Sequence, residues 1–230
     1  MKQPIMKFTY YGQSCFQIEL NEKIFLFDPF ISGNELAKEI DINSLRADYI
    51  LVSHGHEDHT LDIVPIAKNT GALVISNFEI IAWLQLQGVS NVHPMNFGSY
   101  DFEFGTLTYM QAQHSSSLAD GTYAGAAGGF IIKSEQGSFY YSGDTSLMLD
   151  MQLVPYYAKI DVAILPVGGN FTMNVRDALK ATEFIQCDNV VGVHFDTFGY
   201  IKIDHVASIK LFEEAGKKLL LPEIGKTYEL

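Results

Sequence analysis

Strand-length apolar runs recur along this chain, and four of them stop at a histidine or an aspartate. "YILVS" runs into His54-Gly55-His56, "LTYMQAQ" into His114, "SFYYSG" into Asp144 and "NVVGV" into His194. A fifth run, "DVAILPV", ends at Gly168-Gly169-Asn170. In layered α/β folds, ligand sites form just beyond the carboxyl ends of strands. Histidine is scarce, seven in all, and five of the seven lie at these ends once His59 is counted. Such placement requires strands whose ends converge.

The order of the runs agrees with that requirement. "KFTYYG", "CFQIEL" and "KIFLFDPF" read as strands, the last two joined by a tight turn at "NEK". "DYILVSH" is a buried strand, "LDIVPIAKNTG" a helix ended by Gly71, "ALVIS" a strand, and "NFEIIAWLQLQG" a helix capped by Asn77 and closed by Gly88. "NVHPMN", "YDFEFG" and "LTYMQAQH" read as strands, and "GGFIIKSEQGSFYYSGD" as a hairpin turning at "SEQG". A helix is expected over residues 147–159, then a strand at "DVAILPVGG", a helix at "NVRDALKATEFIQ", a strand at "NVVGVHF", a helix at "DHVASIKLFEEAG" and strands at "KKLLL" and "TYEL". Antiparallel strands first and strand–helix alternation later imply sheets with helices outside, a layered α/β arrangement. No linker or repeat interrupts the chain, so one domain is expected over residues 1–230.

Composition narrows the functions. Fifteen basic against 27 acidic residues give a formal charge of −12, which repels nucleic acid, and no basic arm breaks the pattern. No run is long enough to span a bilayer and no signal-peptide layout opens the chain, so a cytoplasmic location is expected. The two cysteines, Cys15 and Cys187, share no ligand spacing and read as small buried hydrophobes.

Imidazole and carboxylate are the usual ligands of zinc and related divalent ions. Within "SHGHEDHT", His54 and His56 are two apart and point the same way on extended backbone. Asp58 and His59 follow a turn and face a second point. One short loop can thus feed two ions.

The pattern "HGHEDH", followed by a distant His, Asp and His, resembles the metallo-β-lactamase superfamily. The resemblance runs from "FLFDPF" to "GVHFDTF". "QHSSS", "SGDT", "PVGGNFTM" and "HFDTF" look like the cytoplasmic metal-dependent hydrolases related to ascorbate-phosphate lactonases and phospholipase-D-type lipid phosphodiesterases. The resemblance implies a four-layer αββα sandwich. It implies that His54, His56 and His114 hold a first metal, that Asp58, His59 and His194 hold a second, and that Asp144 bridges both. The ions would be zinc, with manganese, iron or nickel as alternatives. Two features depart from such relatives: Glu57 stands where they often have glycine, and Gly169 where they often have aspartate.

Two such ions about 3.5–4 Å apart lower the pKa of a shared water to near 7. The expected function is hydrolysis of an ester, lactone or phosphodiester bond in a small molecule by metal-bound hydroxide. Asp58 would orient that hydroxide or carry its proton. Alternatives are a nucleic-acid phosphodiesterase, which the charge opposes, and a di-iron redox centre, which His56 opposes because a carboxylate stands there in those relatives. A non-catalytic metal-dependent sensor is the fourth, and self-association is left open.

Other residues carry readings of their own. Asp28 either starts a turn before Pro29 or orients a ligand histidine. Asp196, His93 and His205 read as structural. Ser115, Ser116 and Ser117 lack the G-x-S-x-G elbow of a serine nucleophile. "NFTMN", residues 170–174, with Thr172, is a candidate anion site at a helix start.

Overall fold

The computed structural model describes residues 6–230. They form two compact units. The first takes the residues up to Asn96 with Ser115–Ala127 and Glu223–Leu230; the second takes Phe97–His114 and Gly128–Pro222. Each is built on its own seven-stranded sheet.

In the first unit, β1 (Lys7–Gly12), β2 (Cys15–Leu20) and β3 (Lys23–Phe27) form an antiparallel meander. The turn at "NEK" pairs Leu20 with Lys23 and places Asn21 and Glu22 at φ of 55° and 61°. Two residues at positive φ make the hairpin turn that matches strand twist. β4 (Tyr49–Leu51), β5 (Leu73–Asn77) and β6 (Val92–Met95) continue the sheet in parallel from β3, and β14 (Thr227–Glu229) pairs with β1.

Alternation sorts the side chains. Phe8, Phe16 and Phe27 stack in series on one face, with Phe25 against Tyr49. On the other face Leu26, Ile50, Val52 and Val74 join one core with Ile63 and Ile66 of α2 (Ile63–Thr70) and Ile80, Ile81 and Leu84 of α3 (Phe78–Leu86). Asn77 caps α3 as expected, its Oδ1 accepting from the Ile80 amide. Pro65 sits in the first turn of α2, where a missing N–H costs nothing.

In the second unit, β7 (Gly98–Phe102), β8 (Gly105–Gln111), β9 (Gly128–Ser134) and β10 (Gly137–Tyr141) are antiparallel. β11 (Val162–Pro166), β12 (Asn189–Val193) and β13 (Lys218–Leu220) then run parallel to β10. It follows that β8, β10, β11, β12 and β13 all point one way. α5 (Val175–Ile185) opens with a capping box between Asn174 and Asp177 and buries Ala178, Ala181, Thr182 and Ile185, one stripe at helical spacing. The other long helix here is α6 (His205–Glu214), capped by Asp204.

Three local expectations need correction. Residues 147–159 are not one helix but a 3-10 turn at Leu149–Leu153 followed by the single α-turn α4 (Val154–Tyr157). Pro155 has no N–H to bond the Met151 carbonyl, so the α-ladder cannot run through it. The strand at "YDFEFG" ends at Phe102: Phe102 pairs with Gly105, which makes Glu103 and Phe104 the hairpin loop. Asp58 and His59 lie not after a simple turn but on the one-turn helix α1 (Glu57–Thr60). Among the described residues no helix is long and apolar enough to cross a membrane.

Candidate functional site

The first unit gathers ligand-type side chains at the carboxyl ends of β3 and β4. Asp28 leaves β3 with φ of 41°, a left-handed conformation rare outside glycine, and is fully buried. Its Oδ1 accepts from the Ser53 amide at 2.7 Å and its Oδ2 from the Ser53 hydroxyl at 2.6 Å. Oδ2 also lies 2.8 Å from His59 Nδ1. A carboxylate only accepts, so His59 carries its proton on Nδ1 and presents the Nε2 lone pair.

The same reasoning fixes His54. The one Ser53 hydroxyl hydrogen goes to Asp28, so at 3.0 Å the Ser53 oxygen accepts from His54 Nδ1. His54 Nε2 is then a lone pair, 2.9 Å from His56 Nδ1. Asp58 Oδ2 accepts from the Gln13 side-chain amide at 2.8 Å and stands 3.4 Å from His59 Nε2. Asp28, His54 and His59 each place a ligand-type atom within 4.8 Å of the others.

Gly55 lets this loop pass its neighbours, since a Cβ there would lie 2.3 Å from the Ala124 methyl. Ser116 ties the loop down. Its oxygen accepts from the Gly55 amide and its hydroxyl donates to the Ala124 carbonyl. Thr60 adds a bond to the His56 carbonyl.

The second unit gathers its set by topology. His114, Asp144 and His194 follow β8, β10 and β12, three strands that point the same way. Asp144 Oδ2 lies 2.9 Å from His194 Nε2 and 3.7 Å from His114 Nε2, so one carboxylate oxygen is near both rings and within hydrogen-bond reach of His194. Asp144 and His194 are buried. His194 takes φ of 54°, and its carbonyl comes so close to Gly168 that a Cβ there would sit 2.2 Å from it. Gly169 has φ of 72°, a left-handed backbone that glycine adopts without strain.

Other candidates resolve into scaffolding. Ser116 is occupied as described, and Ser115 lies 3.3 Å from His56 Nε2. The first amides of α5 are taken by the Asn174 side chain, so "NFTMN" is no open anion site, and Thr172 turns to the Met173 carbonyl. Asp196 accepts from the Ile203 amide and from His205, closing its own loop. Burial pushes the thiols of Cys15 and Cys187 up, which keeps both protonated and unreactive. The structure places His93 on β6, where partial burial lowers its pKa.

Sequence reasoning missed three residues. Gln13, in the β1–β2 turn with φ of 54°, reaches Asp58 across 45 positions. Ser53 is the proton donor that orders Asp28 and His54. Asp62 accepts from the amides of Ile31 and Ser32 and so pins the segment after Asp28.

The donor sets suit divalent cations. In the first unit the His59 lone pair faces a carboxylate oxygen, an arrangement of two acceptors that a cation relieves. In the second, the buried Asp144 carboxylate lies beside the imidazoles of His114 and His194.

Comparison with known proteins agrees. A family model described as the Beta-lactamase superfamily domain matches residues 7–194. A UPF0173 metal-dependent hydrolase of Christiangramia forsetii is 52% identical over 227 residues, covering 98% of this chain and all of that one. One of Flavobacterium johnsoniae is 53% identical over 226 residues with the same coverage. Among solved structures, Igni18, a metallo hydrolase of the archaeon Ignicoccus hospitalis, superposes with a TM-score of 0.88 at 31% identity, covering 98% of each chain.

Proposed function

The chain belongs to the β-lactamase superfamily and is a metal-dependent hydrolase with the α/β fold of that superfamily; from this premise we propose that it uses two divalent cations to hydrolyse an ester, lactone or phosphodiester bond in a small molecule. His54, His56 and His114 would hold one cation, Asp58, His59 and His194 the other, with Asp144 shared between them. Zinc suits this donor set, as would manganese, iron or nickel. Residues 1–230 work as one domain. The observation that carries the reading is Asp144 Oδ2, which reaches one histidine assigned to each cation.

When bound, such ions supply Lewis acidity to a carbonyl or phosphoryl oxygen and acidify water near neutral pH. The chain supplies order. Asp28 holds the His59 ring and its tautomer, and Ser53 does the same for His54. Asp58, steadied by Gln13, orients the attacking water and receives its proton. No side-chain nucleophile is needed, in keeping with the buried, protonated thiols and the committed Ser116. The charge of −12 favours a small substrate over nucleic acid. Two free buried cysteines suit the reducing cytoplasm.

The test is hydrolysis of a small ester, lactone and phosphodiester panel before and after chelation, with metal restored. Turnover should vanish on chelation and return with zinc. Turnover that survives complete metal removal would overturn the reading.

A further inference from the structure

The loops that carry or flank the candidate ligands have a common deficit. Residues 28–34, 52–62, 112–127, 142–149, 166–174 and 194–201 contain no lysine or arginine. Recognition of a phosphate dianion usually recruits such side chains, arginine above all, for its paired donors. Here the nearest in sequence are Arg176 and Lys202, just past the loop ends.

In the second unit two of these loops carry exposed rings instead. Phe171 is 53% exposed and Tyr200 79%, and they meet edge to face at 6.3 Å between centroids. A single exposed ring means little, but these are held in place at the ligand-bearing edge. The Phe171 loop is bridged from Gly168 to Asn174 and bonds the Thr145 carbonyl, next to Asp144, through the Met173 amide at 2.9 Å. Gly168 rests against the His194 carbonyl. The Tyr200 loop follows His194. It is closed by the Asp196 amide on the Ile201 carbonyl at 2.9 Å and by the Asp196 carboxylate on the Ile203 amide and His205. Both rings therefore stand on loops fixed to Asp144 or His194.

Resting on the hydrolase reading above, we infer that Phe171 and Tyr200 form a subsite for an uncharged apolar group. The substrate is then an ester or lactone bearing an aryl or alkyl substituent, not a phosphate monoester or sugar phosphate. The reaction is plain hydrolysis: water adds to the acyl carbon, the acyl C–O bond breaks, and the departing alcohol oxygen takes a proton from the water.

The zinc-loaded protein is assayed with γ-phenyl-γ-butyrolactone, γ-butyrolactone and 4-nitrophenyl phosphate. Binding of 4-phenylbutyramide, uncharged and not hydrolysed on this time scale, is followed separately by NMR. Wild type is compared with Phe171→Ala/Tyr200→Ala, whose fold is checked by circular dichroism. The phenyl lactone should have the highest kcat/KM. The double variant should lose about tenfold on it, through KM, with unsubstituted lactone unchanged and amide binding weakened to match. Preference for the phosphate, equal losses on both lactones, or amide binding unaffected by the double substitution would overturn the inference. Metal-dependent turnover without phenyl preference would sink the inference and leave the hydrolase reading standing. Ring-dependent amide binding with turnover insensitive to chelation would sustain the subsite and remove the metal chemistry.

Discussion

The two units assemble their ligand-type residues by opposite means. In the first, His54, His56, Asp58 and His59 fall within six positions, and partners drawn from far along the chain hold them: Gln13, Asp28 and Ser116. In the second, His114, Asp144 and His194 lie 30 and 50 positions apart and meet because β8, β10 and β12 run in one direction. The first cluster is local in sequence and nonlocal in support. The second is nonlocal in sequence and needs little support beyond the sheet. Hydrogen-bonded anchors should therefore matter most in the first unit, and close backbone packing in the second.

The largest effect is expected from Asp144→Ala. It removes the one carboxylate both histidines of its unit share, so hydrolysis should cease and bound metal should fall below two ions per chain, read by elemental analysis. A variant that keeps full metal and full rate would end the claim that the second unit contributes a bridging ligand. Next comes Asp28→Ala. It strands the Ser53 amide, the Ser53 hydroxyl and the His59 N–H in a fully buried place. Stability should drop by about 3 kcal/mol in urea unfolding of the metal-free protein, and metal affinity by roughly 10–100-fold. An unchanged urea midpoint would show that the anchor network is dispensable.

Smaller effects separate the two glycines. Gly168→Ala drives a Cβ to 2.2 Å from the His194 carbonyl, while Gly55→Ala meets the Ala124 methyl at 2.3 Å. Each should cost roughly 1–3 kcal/mol, with Gly168 the costlier because its Cβ would also lie 2.8 Å from Ile201 Cβ, whereas the next atom from a Cβ at Gly55 is 3.2 Å away. Thermal melts of the pair decide this, and the reverse order would contradict the packing contrast. Gln13→Leu should have the least effect. It removes the Gln13 hydrogen bond to Asp58, so kcat should fall about tenfold with metal content and KM unchanged. A drop in metal content instead would make Gln13 part of metal retention.

The same contrast explains what could be read before any coordinates. The cluster at "HGHEDH" is visible because its spacing is local, and β3, β4, β10 and β12 are visible because their apolar runs are continuous. The meeting of His114, Asp144 and His194 was legible only as strand ends, since direction comes from pairing that no short window contains. Gln13 and Asp62 were invisible for the same reason: each acts on a residue or segment about 30 or more positions away. Pro155 was visible, but its break of the helix over residues 147–159 was outweighed by the apolar periodicity around it. Asp28 stood as either a turn or an orienting residue, and its left-handed backbone and bond to His59 Nδ1 favour the second.

The most direct test of the central claim is elemental analysis of the protein purified without added metal, then dialysed against zinc. Two ions per chain are expected, both removed by chelation together with hydrolytic activity. A chain that binds none, or hydrolyses its substrate equally well without them, would contradict the claim.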